Sequence, residues 1–165
     1  MNEPTSGMTA LDFQGELKKA VAKILKDVQT KTTAGVMVSG VNVYEQQLPI
    51  IVSDDEDESQ FFPYAIVRLS DGQTPNDDTP WIVNANILIG VHDDDRSGAG
   101  YKHVMVMCQR IIDEFAAEPL LSRMYRADQN MEWALQDDDT YPFYFGGVRL
   151  KFFIPKIGRR EPDYV

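Results

Sequence analysis

Thiols and imidazoles are nearly missing from this chain. Cys108 is its one cysteine, and His92 and His103 are its two histidines. No intrachain disulfide can therefore form, and a histidine-built zinc centre is excluded. A lone thiol suits a reducing compartment. Cations are also scarce: 16 Lys and Arg face 26 Asp and Glu, for a net charge of −10. Backbone phosphates are neutralised by clustered Lys and Arg, so direct nucleic-acid binding is not expected. The same charge repels anionic membranes and favours solubility, or a partner with a complementary basic patch. No apolar run approaches the roughly eighteen residues a transmembrane helix needs. The opening "MNEPTSGMTALDFQGEL" carries acids early and no apolar core, unlike a secretory signal. The expectation is a cytosolic protein where it is made.

What is present is ordinary globular material. The 165 residues are 43% hydrophobic and 25% charged, enough for a single domain over 1–165 with a real core. Residues 1–8 read as a flexible arm and 158–165 ("GRREPDYV") as an extended charged tail.

Periodicity orders the rest. Thr9 can cap a helix running to about residue 29, with Leu11, Leu17, Val21, Ile24, Leu25 and Val28 near one face. Residues 41–52 ("VNVYEQQLPIIV") read as a strand, with Pro49 marking an edge or a break. The five consecutive acids at 54–58 predict a solvated loop. Residues 62–72 read as a strand ending in the turn signal Asp71-Gly72. The clearest strand covers 81–93: Trp81, Val83, Ala85, Ile87, Ile89 and Val91 alternate with Ile82, Asn84, Asn86, Leu88 and Gly90. A second helix covers 98–117, with a stripe of Tyr101, Val104, Met105, Cys108, Ile111, Ile112 and Phe115, closed by Pro119. Residues 131–139 and 141–155 give two last strands. Helix, three strands, helix, two strands predicts an α+β fold: one antiparallel-dominated, possibly mixed sheet with two main helices packed on one face.

The aspartates invite a metal reading. Asp93, Asp95, Ser97 and Gly98 match positions of a calcium loop, but the position of its bidentate Glu holds Val104. A solvated turn leading into a helix is the simpler reading. A magnesium-dependent phosphodiesterase could draw on Asp77, Asp78, Asp93, Asp94 and Asp95, yet no Glu-x-Lys follows on a neighbouring strand. His103 and Cys108 lie five apart, roughly 140° around a helix, poorly placed for joint chemistry. Cys108 sits on the apolar stripe and reads as a small core residue. No catalytic residue, cofactor site or metal site is expected, with Asp93 and Asp95 as the metal alternative.

The segment 141–155, "YPFYFGGVRLKFFIP", is unusually aromatic and glycine-rich. Base stacking would need a basic groove, and the preceding "QDDDT" has the wrong charge. Its aromatics either enter the core alternately or form a protein–protein surface. Gly146 and Gly147 mark a bulge or a close backbone approach. In the second half Val148, Leu150 and Phe152 point one way, and Arg149, Lys151 and Phe153 the other.

Four phrases together, "PYAIVRLSDGQ", "ANILIGVHDDD", "GAGYKHVMVMCQRIIDEF" and "MEWALQDDDTYPFYFGGVRLKFFIP", resemble the tail terminator or tail-completion (head–tail joining) proteins of phages and prophages. The resemblance spans about 41–157. It implies an α+β fold, no catalytic residues, and a homo-oligomeric ring, often a hexamer, that caps the tail tube and meets the head-completion proteins. The chain would act in the host cytoplasm during assembly and then in the virion. The acidic run 54–58 and the charged C-terminal tail depart from the pattern and leave open whether this is the terminator or an adjacent neck component. On this reading Tyr141, Phe143, Tyr144, Phe145, Gly146 and Gly147 are candidate subunit contacts. The alternatives are the phosphodiesterase above and a monomeric adaptor whose acidic surface captures a basic partner.

Overall fold

Two amphipathic helices and one sheet share a single apolar layer. The computed structural model describes residues 9–157, so the expected N-terminal arm and charged C-terminal tail lie outside the described residues. Helix α1 spans Ala10–Ile24, and its cap is as expected: the Thr9 hydroxyl accepts the Asp12 N–H at 3.1 Å. Phe13, Leu17, Val21 and the capping Leu25 are fully buried at four-residue spacing. Leu11, expected on this face, is 73% exposed. It precedes Leu17 by six residues, which turns it about 120° off the stripe, and Phe13 takes its place. Helix α2 spans Tyr101–Ala117 and buries Val104, Met107, Cys108, Ile111 and Phe115. Tyr101, its first residue, is exposed rather than part of the stripe.

The strands are β1 (Gln29–Lys31), β2 (Met37–Ser39), β3 (Asn42–Glu45), β4 (Tyr64–Gln73), β5 (Trp81–His92), β6 (Leu120–Leu121), β7 (Tyr125–Ala127), β8 (Glu132–Leu135) and β9 (Phe143–Ile154). A separate hairpin joins β1 and β2. The main sheet runs β3-β4-β5-β9-β7-β6, with β8 beside the first half of β9. Every pair is antiparallel except β3–β4, which is parallel. The fold is thus α+β with a mostly antiparallel sheet, but five strands rather than three lie between the helices and four rather than two follow.

Several boundaries differ from expectation for local reasons. The strand expected at 41–52 ends at Glu45, because Gln46 adopts a positive φ of 70° and turns the chain away. Asp71-Gly72 is no turn: β4 continues through it, absorbing one irregularity between Leu69 and Asp71. No bulge occurs at Gly146-Gly147, where β9 stays in unbroken register with β5. The strand expected at 131–139 contracts to β8. Trp81, expected to face the core, is exposed at the start of β5.

Alternation along β5 and β9 sets the two faces of the sheet. Val83, Ala85, Ile87, Ile89 and Val91, with Val148, Leu150, Phe152 and Ile154, form one cluster with the stripes of α1 and α2. Phe13 stands at its centre, its ring 4.8 Å from Phe152 and 5.4 Å from Tyr125.

Replacing Phe13 with Ala should destabilise the chain by about 3–5 kcal/mol, whereas Leu11→Ala should stay within about 0.5 kcal/mol. Urea unfolding of the two variants checks this; equal effects would contradict the placement of α1.

Candidate protein-contact surface

The aromatic segment divides between the two faces. Phe143 and Phe145 point away from the helices into a second apolar cluster with Phe62, Tyr64 and Ile66. The Phe62 ring lies 4.8 Å from Tyr64, 4.9 Å from Phe143 and 5.9 Å from Phe145. Tyr144 points toward the helix layer, where a Cβ on Gly100 would run into its ring. A Cβ on Gly146 would stand 2.7 Å from the Ala134 carbonyl oxygen and from Val104, and one on Gly147 only 2.6 Å from the Ile87 carbonyl oxygen. Both glycines therefore serve close strand packing. Tyr141 is exposed, and its hydroxyl donates to the Asp94 carbonyl at 2.6 Å. Five of the six candidate contact residues are thus half-buried within the chain itself, and Tyr141 alone is exposed.

A different surface stands out on the helix-free face. Strand register places Arg68, Asn86, Arg149 and Glu132 in one row across the sheet. Asp71, Asn84 and Lys151 form the next row, and Ile82, Phe153 and Arg126 the one after. Arg149 pairs with Glu132 at 3.1 Å, Asn84 donates to the Asp71 carboxylate, and Arg68 donates to the Gln46 carbonyl at 2.8 Å. Asp71, Asn84, Asn86, Glu132, Arg149 and Lys151 line an open depression of about 500 Å³. The rows carry four cations against two carboxylates, on a chain whose net charge is −10. Alternation alone shows that Arg149 and Lys151 share a face. Bringing Arg68 and Arg126 beside them requires the pairing register, which no local pattern encodes.

The crossover 46–63 is the second exposed feature. Parallel neighbours such as β3 and β4 need a long return connection, and the two helices already fill the other side of the sheet. The crossover runs on the helix-free side, where Leu48 packs on the aromatic cluster. Gln47–Ile51 there roof a depression of about 560 Å³ floored by Tyr64, Ile66, Leu88 and Phe145. Beyond that anchor Ile50 is 79% exposed and Val52 91%, followed at once by the acids 54–58.

The aspartate and thiol candidates have local partners. Asp93 accepts the Asp95 N–H at 3.0 Å and pairs with His103 at 3.2 Å. Asp95 accepts the Ser97 N–H at 2.9 Å, a bond that holds its carboxyl below the usual range. Among the described residues, no three His, Cys, Asp or Glu side chains gather as a metal site. Cys108 is buried, its Sγ 3.6 Å from the Gly147 carbonyl, and burial pushes its thiol up to about 11. No family model matches this chain, and neither does any curated protein.

Phe145→Ala should lower folding stability by about 2–4 kcal/mol, since it empties a site between Phe62 and Gly90, while Tyr141→Ala should cost about 1 kcal/mol or less. Thermal and urea unfolding check the contrast. Ellman's reagent at pH 8 should leave the native Cys108 thiol unmodified and titrate it fully in urea. The buried neutral thiol contributes stability below pH about 9 that is lost as pH rises toward about 11, where the unfolded thiol ionises first.

Proposed function

We propose that this chain is a structural subunit of a phage or prophage tail, of the tail terminator or neck type. It joins copies of itself in a ring, a hexamer by resemblance, that caps the tail tube and meets the head-completion proteins. It works without catalytic residues or a cofactor, in the host cytoplasm during assembly and then in the virion. The observation that carries this reading is the one-sided sheet. One face is packed by α1 and α2, while the other leaves Ile82 and Phe153 partly exposed beside the rows of charged groups. An open surface of mixed polar and apolar groups suits a protein partner better than a small molecule. The sequence resemblance to tail proteins supplies the identity of that partner. Asp93 and Asp95, which a phosphodiesterase would need, accept hydrogen bonds from the Asp95 and Ser97 amides, and this favours turn formation as their role.

In sedimentation velocity from micromolar to millimolar protein, a closed homo-oligomer should appear, with or without EDTA. A strict monomer throughout would overturn the ring reading.

A further inference from the structure

We infer that neighbouring copies meet by seating the crossover arm 47–58 of one on the cationic rows of the helix-free sheet face of the next; this names the contact within the ring reading and rests on it. Two complementary patches on one chain are the basis. The sheet rows hold Arg68, Arg126, Arg149 and Lys151, and Arg126 and Lys151 have no carboxylate partner among the described residues. The arm presents Ile50 and Val52 almost bare to solvent, then Asp54, Asp55 and Glu56. None of these three carboxylates is ion-paired among the described residues.

Chemistry and geometry agree on a second copy as the occupant. The exposed apolar pair has partly exposed counterparts on the face in Ile82 and Phe153, and the acids have the two unpaired cations Arg126 and Lys151 to meet. The arm does not satisfy its own face: Leu48 anchors it at the aromatic end, and no carboxylate of 54–58 reaches Arg126, Arg149 or Lys151 within ion-pair distance. Arm and face are different patches, so the pairing allows a head-to-tail contact, the type that closes into a ring when the rotation per subunit permits. Opposite charges also fix register and discourage face-to-face or arm-to-arm pairing.

The test reverses charge on each side. Full-length Arg126→Glu/Lys151→Glu and Asp55→Lys/Glu56→Lys chains are first shown to be folded by circular dichroism and thermal unfolding. Each alone should associate about tenfold or more weakly than wild type, measured by sedimentation velocity. Mixed in equal amounts, the two should recover assembly, because each arm then finds a face of opposite charge. If wild type assembles and both variants assemble equally well, this contact is overturned while the ring reading stands. If wild type stays monomeric, the ring reading itself fails and this contact with it. If the variants weaken assembly but the mixture recovers nothing, the arm and face do not pair with each other, and the inference is likewise overturned. Should one variant fail to fold, Lys151→Gln and Glu56→Gln test the weakening alone: each should associate more weakly than wild type, and unchanged association of both would overturn the contact.

Discussion

The antiparallel pairing of β5 with β9 is the constraint on which everything else depends. The two longest strands run side by side in register from Trp81↔Ile154 to His92↔Phe143 without a break. That register lines up Val83 with Phe152, Ala85 with Leu150 and Ile87 with Val148, which makes the apolar floor onto which both helices pack. It also requires the glycines to stand where they do. A side chain at Gly147 would press on the β5 backbone, and one at Gly90 would enter the Tyr64 ring. On the helix-free side the same register lines up Asn86 with Arg149 and Asn84 with Lys151, so the core and the surface proposed for contact are two sides of one pairing.

One-sided packing follows from chain order. Both helices lie on the same face, so the parallel β3–β4 connection passes over the other. It covers only the aromatic end, where Leu48, Phe61 and Tyr44 close over Phe62 and Tyr64. Arg126, Arg149 and Lys151 beyond are left open, while Arg68 lies at the edge of the crossover, and the acidic, apolar-tipped part of the crossover is left in solvent. Ile50 and Val52, exposed in the folded chain, gain nothing from folding. In the proposed contact they would gain that burial from a neighbour.

The two helices and the β5 and β9 strands were legible because their signals are local: period 3.6 at Leu17, Val21 and Cys108, and strict alternation from Val83 to Val91. Leu11 was misplaced although helical geometry alone turns it off the stripe. The β1–β2 hairpin left no trace, because Gln29, Lys31 and Ser39 are polar and exposed and only Thr30 is buried. Strands of two or three residues such as β6 and β7 exist because β9 offers them an edge, information held in long-range pairing rather than in their own residues. The aromatic segment is unusual by composition alone. Its half-burial within the chain depends on Phe62 and Tyr64, which arrive from far earlier in the sequence. The cationic face was hidden for the same reason, its members coming from β4, β7 and β9.

The account's central claim, that an exposed arm and an open sheet face are made for each other across two copies, is most directly tested by hydrogen–deuterium exchange of the wild-type chain at assembling and dilute concentrations. Backbone amides of 50–58 should exchange freely when dilute and become protected on assembly. Assembly that leaves those amides exchanging at the dilute rate would contradict it.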